Sequence, residues 1–223
     1  MKIYKIITIG LCLAILATTM ATTVTAKDYQ PEVTQGKTLI TVLSDGWNYI
    51  SIPFDKEIKT DDLLVVYRTR VFTWDESLDL KIIRQDPITI NRETGIMEVT
   101  RSLKPGYGYA VKSLKDDVAL FVNEKNIPES ESLITFLPKK SWQLFGLPFS
   151  HEITIGDLLV VHMDEEYSFE EAAKLELVYG VIYNWNRETQ SWDYLWSNDD
   201  ILQPGFGYYI ETLTNDLILK VKK

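Results

Sequence analysis

Short apolar stretches separated by turn residues run through the chain from residue 38 onward. The first two, Leu39 to Val42 and Trp47 to Phe54, are broken by the turn sequence Ser44-Asp45-Gly46. Between residues 107 and 112, large residues alternate with small or polar ones, which is the period of two expected for a strand. Gly108 in this stretch would let another backbone or ring approach closely. The pattern therefore predicts short antiparallel strands joined by tight turns.

The same pattern occurs twice, which indicates an internal duplication. A shift of 95 residues, which becomes 99 after four inserted residues, aligns Trp47 with Trp142, Asn91-Arg92-Glu93-Thr94 with Asn186-Arg187-Glu188-Thr189, and Pro105-Gly106-Tyr107-Gly108-Tyr109 with Pro204-Gly205-Phe206-Gly207-Tyr208. We therefore divide the chain into a signal peptide (1–26), a polar lead-in (27–37), a first module (38–126), a linker at about 123–131 and a second module (132–223).

The strand pattern predicts that each module is an all-β unit with one or two short helical turns. Thr73 with Glu76, and Ser168 with Glu171, have the spacing of a capping box at a helix start. Each Asn-Arg-Glu-Thr sequence separates two apolar runs and predicts the turn of a hairpin. About seven short strands per module, with turns roughly every 8–12 residues, indicate a β-sandwich or a small barrel.

Two pairs of residues are expected in the cores of the modules. Trp47 and Trp142 occupy equivalent positions at the start of apolar strands, and we expect both to be buried anchors. Met97 and Val99 follow the hairpin turn of the first module and are also expected to be buried.

The start of the chain predicts export. Lys2 and Lys5 precede an apolar run, and Val24-Thr25-Ala26 offers the small residues of a cleavage site. The only cysteine, Cys12, lies in this segment, so the mature chain has no disulfide. The formal net charge of −9 becomes −11 once the two lysines are removed, which disfavours nucleic acid and anionic membranes as partners. We expect a secreted, cell-surface protein without membrane insertion after signal cleavage.

The residues with catalytic potential do not predict an enzyme. His151 and His162 are the only histidines, whereas a zinc site needs three or four nitrogen or sulfur ligands. No Gly-x-Ser-x-Gly sequence offers a nucleophilic serine. A secreted hydrolase with two carboxylates facing each other across a cleft is the least favoured alternative.

Two acidic clusters are candidate sites for calcium, the one cofactor that the sequence suggests. One cluster is formed by Asp164, Glu165 and Glu166, and the other by Asn198, Asp199 and Asp200. Both carry the oxygen ligands that calcium prefers, although neither matches an EF-hand loop. Solvated surface charge is the alternative interpretation of these residues.

An aromatic stripe in the second module is a candidate binding surface. Trp192, Tyr194 and Trp196 share one face of a predicted strand, and an exposed stripe of this kind could stack on sugars. However, Trp192 and Tyr194 replace Met97 and Val99 of the first module, which favours core packing for these two. Trp196 is therefore the one expected to be exposed.

Several motifs resemble a family of secreted repeat modules found in archaeal and bacterial cell-surface proteins. The similar segments are Gly46-Trp47-Asn48-Tyr49-Ile50-Ser51-Ile52-Pro53, the hairpin turn from Trp185 to Trp192, and Leu103-Lys104-Pro105-Gly106-Tyr107-Gly108-Tyr109-Ala110-Val111. The resemblance covers both modules, although the second begins with Ser141-Trp142-Gln143 in place of Gly-Trp-Asn. It implies an extracellular location and a scaffold or binding role without catalytic residues.

The expected function is that of a non-enzymatic structural or adhesive protein acting through protein–protein contacts. The partners would be cell-envelope proteins or a second copy of the chain. Because an exposed sheet edge is a template for adding a strand, the lead-in or the last strand, Leu217 to Val221, is expected to supply or receive such a strand. The alternative is a pair of carbohydrate-binding modules, in which an exposed aromatic surface would bind polysaccharide.

Overall fold

The computed structural model describes residues 36–123, residue 130 and residues 132–222. The predicted signal peptide, nearly all of the lead-in and most of the linker lie outside the described residues. Within the described part of the chain, none of the helices has the length and apolar character needed to cross a membrane.

The first module is a sandwich of two four-stranded antiparallel sheets. Its strands are β1 (Thr38–Leu43), β2 (Gly46–Ser51), β3 (Ile58–Lys59), β4 (Leu63–Tyr67), β5 (Arg70–Thr73), β6 (Ile88–Ile90), β7 (Met97–Val99), β8 (Ser102–Leu103), β9 (Gly108–Ser113) and β10 (Val118–Val122). One sheet has the order β1-β10-β4-β5 and the other has the order β2-β9-β6-β7. The short strands β3 and β8 pair with each other.

The second module repeats this topology strand for strand. Its strands are β11 (Leu133–Leu137), β12 (Trp142–Gly146), β13 (Ile153–Thr154), β14 (Leu158–His162), β15 (Glu165–Ser168), β16 (Val178–Asn186), β17 (Ser191–Leu195), β18 (Ile201–Leu202), β19 (Gly207–Thr212) and β20 (Leu217–Val221). The sheet orders are β11-β20-β14-β15 and β12-β19-β16-β17, and β13 pairs with β18. The all-β sandwich and the duplication predicted from the sequence are thus confirmed.

Each module has one short α-helix, and both helices begin with the predicted capping box. These are α1 (Trp74–Asp79) and α2 (Phe169–Lys174). The Glu76 N–H donates to Thr73 Oγ1, while the Thr73 N–H donates to Glu76 Oε2 at 2.8 Å. Ser168 and Glu171 make the same pair of bonds in the second module. The boxes fix the helix starts because they satisfy backbone donors that a helix leaves free.

The hydrophobic core of each module lies between its two sheets. In the first module it combines Leu63, Val65, Val118 and Leu120 from one sheet with Ile50, Tyr109 and Val111 from the other. A smaller buried cluster lies on the outer face of the β1-β10-β4-β5 sheet, where Val66, Ala119 and Phe121 pack with the partly buried Leu39, Val42 and Leu64.

This arrangement corrects the expected core positions. Met97 and Val99 are exposed, because β7 is the edge strand of its sheet and its side chains do not join the core. Trp142 is 42% exposed and Trp47 is half-buried, so neither is a core anchor. Side chains alternate across a strand, and both tryptophans fall on the outer face of their sheet.

The last strand of the chain is not a free edge. β20 lies between β11 and β14, and Leu219 is opposite both Thr135 and Val160. Both rows of its backbone groups are occupied by neighbours in the same sheet. The expectation that Leu217–Val221 supplies or receives a partner strand is therefore wrong.

Candidate functional site

The two modules meet around an approximate two-fold axis at the ends of β2 and β12. Two kinds of backbone–backbone contact there occur in pairs related by exchange of the modules. The pairs are the antiparallel bridges Ile50 to Phe206 and Tyr107 to Phe145, and the hydrogen bonds from Ser51 N–H to Gly205 O and from Gly146 N–H to Gly106 O, both 3.2 Å. The module contact is thus self-complementary in the sense of an isologous dimer interface.

The glycines of the repeated Pro-Gly-x-Gly motif make this close approach possible. A Cβ atom on Gly108 would lie 2.7 Å from Leu144 Cγ and 2.8 Å from Phe145 O of the other module. A Cβ atom on Gly207 would lie 2.9 Å from Ile50 O. The prediction that Gly108 permits close backbone approach is confirmed, and the backbone that approaches belongs to the other copy of the module.

Arg92, in the hairpin turn of the first module, reaches into the second module. It is 5% exposed, and its guanidinium donates to Phe136 O at 2.7 Å, to Gly106 O at 2.9 Å and to Thr135 Oγ1. The same group stacks 3.5 Å from the centre of the Tyr107 ring. Among the described residues, the groups that contact this buried charge are carbonyl oxygens, a threonine hydroxyl and an aromatic face, rather than a carboxylate.

Arg187, the equivalent residue of the second module, makes the reciprocal contacts. Its guanidinium donates to Thr41 Oγ1 at 2.8 Å and to Val42 O at 2.6 Å, and lies 3.8 Å from the centre of the Phe206 ring. Burial lowers the pKa of both guanidinium groups to about 10, so both are charged at neutral pH. The sequence signal for this pair was the repeated Asn-Arg-Glu-Thr turn, which sequence analysis had used only as a hairpin marker.

Seven aromatic rings, which we call the aromatic cluster, lie on the outer face of the β12-β19-β16-β17 sheet. The members are Tyr49, Trp142, Tyr183, Trp185, Trp192, Tyr194 and Tyr209, of which Tyr49 comes from the first module. Trp185 is directly opposite Trp192, and Tyr183 is directly opposite Tyr194, on β16 and β17. Such cross-strand aromatic pairs stabilise a hairpin.

The inner half of the aromatic cluster holds the modules together. The Tyr49 ring lies 5.6 Å from Trp185, 5.0 Å from Trp192 and 5.5 Å from Tyr209, measured between ring centres. Trp185 Nε1 donates to the carbonyl oxygen of Trp47 at 2.8 Å. These rings are half-buried because the first module covers them.

The outer half of the aromatic cluster faces solvent, and we call its three residues, Trp142, Tyr183 and Tyr194, the aromatic corner. Trp142 is 42% exposed and Tyr194 is 56% exposed. The Trp142 and Tyr183 rings are 5.1 Å apart at 68°, and the Tyr183 and Tyr194 rings are 5.3 Å apart at 72°. Neighbouring rings are therefore close to perpendicular and form walls rather than one flat surface.

Oxygen groups border the aromatic corner. Glu211 on β19 is directly opposite Trp142 on β12. Partial burial raises the pKa of the Tyr183 hydroxyl, and Tyr179, Tyr194 and Glu211 raise it further because a phenolate there would face other anionic oxygens. Of these groups only Glu211 is a carboxylate, and it acts electrostatically on the Tyr183 hydroxyl of the aromatic corner.

The first module has the same strands, but of the three aromatic corner positions only that of Trp142 holds an aromatic residue there, which is Trp47. In the equivalent strand pairs, Ile88 is opposite Val99 where the second module has Tyr183 opposite Tyr194. Lys112 is opposite Trp47 where the second module has Glu211 opposite Trp142. The sandwich therefore forms without the aromatic corner, and stability of the fold does not explain its presence.

The three aromatic residues singled out from the sequence lie in different surroundings. Tyr194 is exposed in the aromatic corner, so the expected core packing is wrong for this residue. Trp192 is half-buried against Tyr49 and Tyr209. Trp196 is 68% exposed and, among the described residues, makes no ring contact with the aromatic cluster. Trp142 was expected to be a buried anchor rather than a site residue, and Tyr183 was not among the predicted site residues; both come from other strands.

The acidic clusters are engaged in local contacts. Glu166 forms an ion pair with Lys220 at 3.2 Å, and Asp200 Oδ2 accepts from the N–H groups of Trp196 and Ser197, both at 2.8 Å. Asp164 lies in the turn before β15. Within the described ranges, the structure assembles no group of three or more His, Cys, Asp or Glu side chains that could hold a metal ion. The calcium site stays a prediction.

Comparisons with known proteins add no relative from which a role could be transferred. A scan against protein-family models gives no match, and searches of the curated proteins and of the solved structures give none either.

Proposed function

We propose that this chain is a secreted, non-enzymatic adhesive protein of the cell surface that binds a protein partner through the aromatic corner of its second module. The observation that carries the proposal is the exposure of Trp142 and Tyr194 in a group of three aromatic rings, whereas the first module keeps only Trp47 there and has Ile88 and Val99 in place of Tyr183 and Tyr194. The resemblance to secreted repeat modules supports the same location and role.

The chemistry of the aromatic corner suits a contact between proteins. Tryptophan and tyrosine bury a large area and lose little side-chain entropy, which is why they dominate the energy of protein interfaces. Large exposed apolar groups that the fold does not require mark interaction sites. The inner half of the same cluster already binds one protein surface, the first module, through Tyr49.

Binding of the mature chain, residues 27–223, to envelope preparations from the cells that produce it tests the proposal. The double variant Trp142→Ala with Tyr194→Ala should weaken binding by at least about tenfold, which corresponds to about 1.4 kcal/mol. The matched control, Met97→Ala with Val99→Ala, removes exposed apolar side chains from the first module and should bind like the wild type. Protease treatment of the envelopes should abolish binding, whereas periodate oxidation of glycans should not.

Equal binding by the two double variants would overturn the proposal. A second candidate, polysaccharide binding, is favoured by the exposure of both Trp196 and Tyr194. It would replace the first if periodate, and not protease, abolished binding and if Trp196→Ala reduced retention on insoluble polysaccharide.

A further inference from the structure

In the first module, a lysine of the neighbouring strand covers Trp47, the tryptophan near the start of β2. Trp47 on β2 and Lys112 on β9 are directly opposite each other, and Lys112 Nζ lies 5.4 Å from the centre of the Trp47 ring. A cation over the face of an indole is attracted by the negative charge density of the ring. The first module therefore covers its own tryptophan with its own ammonium group.

The second module has a negatively charged residue at the position equivalent to Lys112. Glu211 stands where Lys112 stands in the first module, opposite Trp142 instead of Trp47. Among the described residues, Lys and Arg groups lie over the rings of Trp47, Tyr67, Phe72, Tyr107 and Phe206, and none lies over Trp142. The Trp142 ring is consequently left open, beside a carboxylate.

The shape of the aromatic corner suits a rounded cation better than a flat ring. The near-perpendicular walls formed by Trp142, Tyr183 and Tyr194 can contact an ammonium group from more than one side, as the aromatic cages that hold ammonium ligands do. A pyranose ring, in contrast, stacks against a single flat face. Glu211 supplies the negative charge that such a ligand requires, and the acidic chain as a whole attracts basic partners.

We infer that the aromatic corner, together with Glu211, binds an ammonium group that a lysine side chain of the partner protein supplies. The inference rests on the proposed function, because it names the group that the adhesive surface recognises. The partner's lysine would lie over the Trp142 ring in the same way that Lys112 lies over the Trp47 ring.

The small probe for this site is Nα-acetyl-lysine amide, and its uncharged control is Nα-acetyl-norleucine amide. Both are titrated into the isotope-labelled mature chain, and NMR follows the indole N–H signal of Trp142, which is assigned with Trp142→Phe. The lysine compound should shift this signal saturably and the norleucine compound should not. Glu211→Lys, which installs the covering cation of the first module, should weaken the response by about fivefold or more.

Two further variants separate a specific site from general attraction to an acidic protein. Glu152→Lys makes the same charge change at another exposed position of the second module and should leave the Trp142 response unchanged. Lys112→Glu uncovers Trp47 beside Ile88 and Val99 in place of the two tyrosines, so its indole signal should respond to the lysine compound more weakly than that of Trp142. Dispersion of the backbone signals confirms that each variant is folded.

Equal responses to the two compounds, or an unchanged response in Glu211→Lys, would overturn the inference. The same holds if neutral oligosaccharides shift the Trp142 signal while the lysine compound does not. If the lysine compound fails but envelope binding still depends on Trp142, the inference fails and the proposed function stands. If the lysine compound binds as expected but the mature chain does not bind the envelopes, the ammonium site stands and the proposed protein partner fails.

Discussion

Trp74 and Trp142 are residues of the same type in opposite environments. Trp74 is 1% exposed in the core of the first module, and its Nε1 donates to Asp86 Oδ1 at 2.7 Å. Trp142 is 42% exposed, and its ring contacts Tyr183 and Tyr209 on the outer face of a sheet. The two residues should therefore contribute very differently to the free energy of unfolding.

Alanine substitutions measure this difference directly. Trp74→Ala should lower the free energy of unfolding by about 3–5 kcal/mol, because it leaves a cavity in a closed core. Trp142→Ala should lower it by about 1 kcal/mol or less, because much of the ring already faces water. The urea midpoint is the measurement, and similar midpoints for the two variants would contradict the placement of Trp142 on an open face.

Sequence analysis misplaced Trp142 for a physical reason. Alternation along a strand shows which residues share a face, but not which face the opposing sheet covers. Trp142 and Leu144 share a face in β12, yet Leu144 is covered by Gly108 of the other module and Trp142 is not. The difference in burial between Leu144 and Trp142 depends on the contact between the modules, and no local sequence pattern predicts that contact.

Hairpin turns and capping boxes were predictable because their contacts are local. The side-chain oxygen of Asn91 accepts from the N–H groups of Glu93 and Thr94, both at 3.0 Å, within the turn itself. Asn186 makes the equivalent bonds in the second module. In contrast, the neighbouring arginines, Arg92 and Arg187, contact acceptors in the other module. Residue spacing along the chain does not reveal such contacts.

The Pro-Gly-x-Gly element offers a test of the module contact. Gly108→Ala should lower the free energy of unfolding by about 1–3 kcal/mol, since its Cβ would overlap Leu144 and Phe145. It should also speed hydrogen exchange at Trp185 Nε1, which donates across the contact to Trp47 O.

Gly95→Ala is the control for this substitution. Gly95 has a φ of +73° but no atom within 4 Å of a built Cβ. The change should add backbone strain of about 1–2 kcal/mol and leave exchange at Trp185 unchanged. Faster exchange at Trp185 in both variants would show that lost stability alone, rather than steric overlap, opens the contact.

At the scale of the whole molecule, the two buried arginines couple the modules. Each guanidinium satisfies carbonyl oxygens of the opposite module, so separation of the modules would leave charges and acceptors to be solvated again. We therefore expect the mature chain to unfold in a single thermal transition, although each module has its own core.

The double variant Arg92→Ala with Arg187→Ala should split this transition into two, as the modules lose their coupling. Differential scanning calorimetry measures the change. Arg92→Lys with Arg187→Lys should also split it, because an ammonium group cannot reproduce the planar fork that reaches several acceptors at once. A single transition in both double variants would show that the aromatic cluster alone couples the modules.

The duplication predicted most of the molecule and little of its site. The repeated motifs occur in the same order in both halves and so identify two copies of one module. The strands predicted for one copy then predict the strands of the other. The aromatic corner could not be predicted, because Trp142, Tyr183 and Tyr194 come from three strands that only the folded sheet brings together. Of the three, only Tyr194 was predicted as a binding residue, as one member of a stripe on a single strand, whereas Trp142 was expected in the core.

The self-complementary contact between the modules has a consequence for how many copies a chain can carry. One pairing occupies the Pro-Gly-x-Gly surface and the turn arginine of both partners, as Gly106 and Arg92 show on one side and Gly205 and Arg187 on the other. A third copy would find no surface left to dock on, and its arginine would lack the threonine hydroxyl and the carbonyl oxygen that the opposite module supplies. Chains assembled from this module should therefore contain even numbers of copies, because duplication or loss of one pair leaves no unpaired docking surface exposed.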